Sequence, residues 1–193
     1  MRRSRHFNPD GGSRKSWGGV DMSVNSFPHD SFKDALEAND EYIKSFKYSD
    51  LTGTAQRGLA IVTCMDSRIN PLSVVGMKSG DAKILRNAGA RVTDDVLRTL
   101  VLATYLLGVE RILIMPHTNC RMAQVDDVEI HREIDTKHGI DTSEIEFKTV
   151  PDQRKALIED VQKVRSYRLI NKDVIVGGAI YDVATGKITP VDC

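Results

Sequence analysis

Cys64, His117 and Cys120 offer two thiolates and an imidazole, the side chains that together suit a thiophilic divalent ion. His117-Thr118-Asn119-Cys120 is an H-x-x-C run, a spacing that lets both donors grip one ion from a single turn. Zinc fits this mixed nitrogen and sulfur set. Three protein ligands would leave one tetrahedral position for water, the arrangement of a catalytic site and not of a closed structural one. Two thiolates already cancel the charge of the ion, so it should acidify its water less than a site of three imidazoles would. The expected activity therefore favours neutral to alkaline pH.

Asp66 and Arg68 follow Cys64 closely enough for a carboxylate and a guanidinium to pair two-pronged. Pairing keeps Asp66 ionised. An ionised carboxylate only accepts hydrogen bonds, so Asp66 can hold the proton of a zinc hydroxide and turn an oxygen lone pair toward an electrophile. Released by Arg68, the same carboxylate could bind the metal and close the site.

These residues need elements that bring them together. Gly58 to Thr63 is a short apolar run of the kind a doubly covered parallel strand shows, and it ends at Cys64. Lys83 to Arg86 reads as a second strand. Thr93 then caps a helix that carries Asp94 and Asp95 in its first turn, runs to Leu107 and is terminated by Gly108. Arg111 to Met115 forms a third strand, ending at Pro116-His117. If the second strand lies on the outer flank of the first, the first and third sit side by side. Their carboxyl ends then meet at a topological switch point, where α/β sites belong. A helix is expected from Ser31 to about Phe46, capped by Asp30 or Ser31, with Phe32, Leu36, Ile43 and Phe46 on one face. Ala156 to Val164 reads as a helix, Val174 to Val176 and Ala179 to Tyr181 as strand, Ala184 to Lys187 as a turn and Ile188 to Val191 as strand. The fold class is α/β, with a mostly parallel central sheet flanked by helices.

Composition narrows the partners. The chain has 193 residues, enough for one domain with a real core, and equal numbers of basic and acidic residues, 27 each. No net field draws nucleic acid or an anionic membrane, so a small-molecule substrate is expected. There is no apolar run for a membrane span and no secretory h-region, so a cytoplasmic protein is expected. An odd count of three cysteines argues against a disulfide framework, and Cys193, the last residue, is expected to have no role. Residues 1–21, basic and rich in Gly and Ser, read as a disordered leader, with translation from Met22 as the simpler alternative to a targeting peptide. Residues 22–193 read as a single α/β domain.

The C-x-D-x-R run at Cys64 to Arg68 followed by H-x-x-C at His117 to Cys120 resembles the signature of the β-class carbonic anhydrases. The resemblance runs from about Ser31 to Val191. It includes R-N-A-G at Arg86 to Gly89, the T-D-D helix start and D-V-A-T-G-K at Asp182 to Lys187, and it points to the short bacterial and archaeal branch. It implies a zinc enzyme that hydrates carbon dioxide reversibly to bicarbonate and a proton. Cys64, His117 and Cys120 would be ligands to one Zn2+ per subunit, Asp66 and Arg68 the dyad, and the assembly a homodimer or dimer-based oligomer. Two residues beside the metal depart from the usual pattern: Arg121 stands where glycine is common, and Asn119 where aspartate is common.

Rival readings stay open on the sequence. The same hydroxide could attack carbonyl sulfide or carbon disulfide, or the domain could be a non-catalytic zinc module for assembly or bicarbonate sensing. For Asp66 and Arg68 the plain alternative is a structural ion pair. Asn87 to Gly89 reads as a turn that lets backbone pass near the metal, and the apolar residues of Val96 to Leu107 as core or dimer surface. His131 and His138 read as solvated helix residues and not as proton shuttles.

Overall fold

The computed structural model describes residues 27–193, so the reading of residues 1–21 lies outside the described residues. The chain divides after Ser49 into a short helical unit and the α/β unit Asp50–Cys193.

In the first unit a 3-10 turn, His29–Phe32, leads into α1, Lys33–Ile43. Neither Asp30 nor Ser31 caps α1. Both are taken up by the 3-10 turn, and Phe32 occupies the N-cap without a side-chain hydrogen bond. The helix also stops at Ile43, short of Phe46. No residue of α1 is buried, and Phe32, Leu36, Tyr42, Ile43 and Phe46 are exposed.

The second unit holds one five-stranded sheet, in the order β2-β1-β3-β4-β5. The strands are β1 (Leu59–Cys64), β2 (Ala82–Asn87), β3 (Arg111–Met115), β4 (Ile175–Tyr181) and β5 (Ile188–Val191). The first four are mutually parallel and β5 is antiparallel. This is the expected arrangement, with β2 outside β1 and β1 beside β3.

All six residues of β1 are buried, as a strand covered on both faces requires. The helices are α2 (Pro71–Val74), α3 (Asp94–Leu106), α4 (Asp127–His138) and α5 (Gln153–Ser166). Thr93 caps α3 through Val96 N, as expected. Leu100, Ile114 and Val161 are fully enclosed in the core formed by α3, α5 and the sheet. Burying each such side chain is worth roughly 1.5–3 kcal/mol.

β4 is one continuous strand and not two pieces. Gly177 and Gly178 pair with Leu113 and Ile114 within it. A Cβ on Gly178 would lie 3.0 Å from both Leu157 and the Cys193 sulfur, so glycine here lets α5 and the chain's last residue approach the sheet.

Candidate metal centre

Cys64 is the last residue of β1, and two residues past the end of β3 His117 is reached through Pro116. The buried Thr63 hydroxyl donates to the Met115 carbonyl at 2.7 Å and ties the two strand ends together just below. The β3–β4 pairing continues as a bridge between His117 and Tyr181, with Thr118 N donating to Tyr181 O at 2.8 Å. The chain then turns at Asn119, whose φ is 55°, and delivers Cys120. The sequence-predicted ligands thus converge: Cys64, His117 and Cys120 are all buried, and their donor atoms lie within 4.8 Å of one another.

The donor set fits zinc in three respects. The two sulfurs are 4.0 Å apart. Two thiolates about 2.3 Å from a tetrahedral zinc would be roughly 3.8 Å apart. His117 Nε2 is the one buried side-chain polar atom without a partner among the described residues, a costly state that a metal relieves. Its other nitrogen, Nδ1, donates to the Thr118 carbonyl at 2.8 Å, which leaves the Nε2 lone pair facing the sulfurs.

Backbone amides stabilise the sulfur charge. Cys64 falls to about 4, first because the Cys120 thiol donates to it, against burial, and further because the His117 ring and the Gly89 and Asp66 amides lie beside it. Cys120 is pushed strongly up by the same shared proton and by burial, although the Met122 amide opposes this. Burial lowers His117, but the adjacent Cys64 sulfur, the Thr118 carbonyl and the Asp66 charge prevail and raise it. The two sulfurs thus share a proton that a bound cation must displace. Zinc binding at pH 7 is expected to release roughly one to two protons per ion. Calorimetry in buffers of different ionisation enthalpy measures this, and a binding heat independent of buffer would contradict it.

Asp66 and Arg68 do pair. Arg68 Nε donates to Asp66 Oδ1 at 2.9 Å and Nη2 to Oδ2 at 2.6 Å, and the Arg68 amide adds a third bond to Oδ1 at 2.9 Å. These bonds hold the Asp66 carboxyl far below the usual carboxylate range. Asp66 Oδ2 is also 3.6 Å from His117 Nε2, so the carboxylate faces Arg68 while standing beside the ligand cluster.

Sequence reasoning missed several contributors. Arg86, on β2, spreads its guanidinium over the carbonyls of Cys64 (2.9 Å) and Asp66 (2.6 Å) and so fixes ligand and dyad together. Gly89, with φ 77°, does more than carry the backbone past the donor cluster. Its amide reaches the Cys64 sulfur, and its left-handed backbone, more than the ordinary contact a Cβ would make with Met122 and Val150 at 3.4–3.5 Å, calls for glycine. Gln153, in the first turn of α5, donates to the His117 carbonyl at 2.7 Å. The R-N-A-G run was the only signal for any of these.

Arg121 points to α4, where Nη2 meets Glu133 at 3.2 Å beside an open cavity of about 450 Å3. His131 differs from its expected solvated state. It is half-buried, its Nδ1 lies 2.8 Å from the Thr142 hydroxyl, and its ring packs against Phe147 because the segment after α4 folds back over it. His138, in the last turn of α4, is exposed.

The profile of the carbonic anhydrase family matches residues 59–188. β-carbonic anhydrase 1 of Mycobacterium tuberculosis is 34% identical over 158 residues, covering 82% of this chain and 96% of that protein. A carbon disulfide hydrolase of Acidianus sp. is 30% identical over 156 residues, covering 68% of this chain and 76% of that protein. The crystal structure of a carbonic anhydrase from Streptococcus mutans, 35% identical, superposes with a TM-score of 0.79 over 86% of this chain and 99% of that one. With the fold, the convergent donor set and these relatives in agreement, the chain belongs to the β-carbonic anhydrase family.

Proposed function

We propose that this chain is a zinc carbonic anhydrase, catalysing reversible hydration of carbon dioxide to bicarbonate and a proton. Cys64, His117 and Cys120 would hold the ion and Asp66 and Arg68 would serve the reaction. The observation that carries this reading is an ionised, doubly anchored carboxylate 3.6 Å from the imidazole of a buried Cys-His-Cys cluster. When bound, zinc supplies the Lewis acidity that makes water a nucleophile near neutral pH.

The chain's own residues orient the rest. Asp66, an acceptor only, takes a hydrogen bond from the attacking hydroxyl and so turns its lone pair toward the carbon. Arg68 holds the carboxylate in that role and keeps it charged. As the new C–O bond forms, one C=O π bond breaks and its electron pair moves to oxygen, giving bicarbonate. The proton released when the water is ionised leaves to buffer.

Carbon disulfide hydrolases among the relatives support a second reading, attack by the same site on carbon disulfide or carbonyl sulfide. Stopped-flow hydration of carbon dioxide beside sulfide release from the two sulfur substrates decides between them. Rapid hydration is expected. Negligible hydration with rapid sulfide release would select the alternative, and inactivity in both assays with full zinc would select a non-catalytic assembly or bicarbonate-sensing module.

The exposed apolar stripe of α1 supports a homodimer or dimer-based oligomer. A helix of 11 residues is marginal in water by itself, and Leu36 and Ile43 within it, with Phe32 before it and Phe46 after it, are exposed apolar residues that need cover. Light scattering is expected to return at least a dimer, and a monomer at micromolar concentration would remove this part of the proposal. Three unpaired thiols suit a reducing cytoplasm.

A further inference from the structure

The turn that carries Cys120 also carries a residue with no part in the reaction described so far. Asn119 adopts φ 55°, a left-handed conformation that most side chains avoid and asparagine tolerates best. Its side-chain oxygen accepts from Gln124 Nε2 at 2.5 Å. This clasp brackets Cys120 and the 3-10 turn Arg121–Ala123, at whose end Gln124 sits. In the clasped turn the Asn119 carbonyl faces Arg68 and accepts from Nη2 at 3.1 Å, the same nitrogen that binds Asp66 Oδ2. Arg68 is therefore anchored at two points, on the carboxylate it serves and on the peptide between His117 and Cys120.

We infer that Asn119 and Gln124 are positioning residues that hold Arg68 against Asp66 and thereby keep the carboxylate from taking the metal's fourth coordination position. The inference rests on the metal site and dyad proposed above. Asp66 Oδ2 is already 3.6 Å from His117 Nε2, so a small swing reaches the ion. Arg68 opposes that swing, and its grip depends on an acceptor whose direction is set by a strained backbone that Gln124 secures. Without the clasp the residue 119 peptide is free to rotate, Arg68 loses its second anchor, and Asp66 competes for the ion with any exchangeable ligand.

The test uses the full chain with cobalt in place of zinc and azide as probe, read through the cobalt d–d bands. Gln124 is exposed, so Q124M removes the donor at similar volume without disturbing the core. Azide affinity of the Q124M protein is expected to fall about tenfold, the worth of one hydrogen bond. N119G, which keeps the left-handed backbone and loses the clasp, is expected to fall similarly. The same Q124M change in a D66A background is expected to have no effect, because the competing carboxylate is gone.

Azide affinity within twofold of wild type in Q124M, or a tenfold loss that persists in the D66A background, would overturn the inference. A wild-type protein that binds no cobalt, or whose cobalt spectrum ignores azide, would instead bring down the site reading beneath it.

Discussion

Asp66→Asn is expected to retain one zinc per chain while losing about a hundredfold to a thousandfold in kcat/KM for carbon dioxide hydration. Losing one oriented electrostatic contact in an enclosed site costs about that much. The carboxamide is nearly isosteric, so the fold and the three ligands stay in place. It differs in two ways that matter. It carries no charge to hold the Arg68 guanidinium, which now makes two side-chain bonds to Asp66. It also presents an N–H2 where only an acceptor will do, so the attacking hydroxyl can be turned the wrong way. Metal analysis beside stopped-flow hydration measures both halves. A variant with activity within threefold of wild type would demote Asp66 and Arg68 to a structural ion pair.

Cys120→Ala is expected to have the larger effect on the metal. Loss of contacts that merely orient ligands weakens metal affinity 10–100-fold, and loss of a ligand itself should exceed that, by about a thousandfold or more. The consequence is also visible in stability. A ligand at a thousand times its Kd stabilises the folded state by about 4 kcal/mol, and that gain should vanish in the variant. Thermal unfolding with and without added zinc is the measurement: a rise in Tm for wild type and none for Cys120→Ala. An equal zinc-dependent rise in both proteins would show that the metal sits elsewhere. Cys193→Ala serves as the control. Its sulfur donates to the Val191 carbonyl and packs near Gly178, away from the ligand cluster.

Much of this site was legible in the sequence because its chemistry is written in side-chain type. Two cysteines, a histidine and an Asp-Arg pair announce themselves, and strands ending at Cys64 and Met115 place them together at the carboxyl end of the sheet. Arg86, Gly89 and Gln153 were hidden for the opposite reason. Each acts on backbone, through carbonyls of Cys64, Asp66 and His117 or through an amide at a sulfur, and such partners leave no pattern in residue types.

The same distinction explains the fold. β1 and β3 stand out as apolar runs, whereas the glycine pair of β4 suggested a break. Only the nearness of Leu157 shows that the missing side chain of Gly178 makes room for α5. The folding of the segment after α4 was also out of reach. It is pinned by Asp127, which accepts from the amides of Phe147 and Thr149 and from the Thr149 hydroxyl, a contact between residues far apart in sequence.

The pairing of β1 with β3 has a consequence for ion selectivity. Neighbouring strands of any sheet are held about 4.8 Å apart by their ladder. Donors hung from two such strand ends inherit that ruler, and Thr63 bolts it at the last rung. A large oxygen-seeking ion such as calcium needs six to eight hard donors at 2.3–2.6 Å, a ring that two sulfurs and an imidazole on so short a gauge cannot supply. Discrimination against it is thus built into the scaffold's spacing as well as into the softness of the donors.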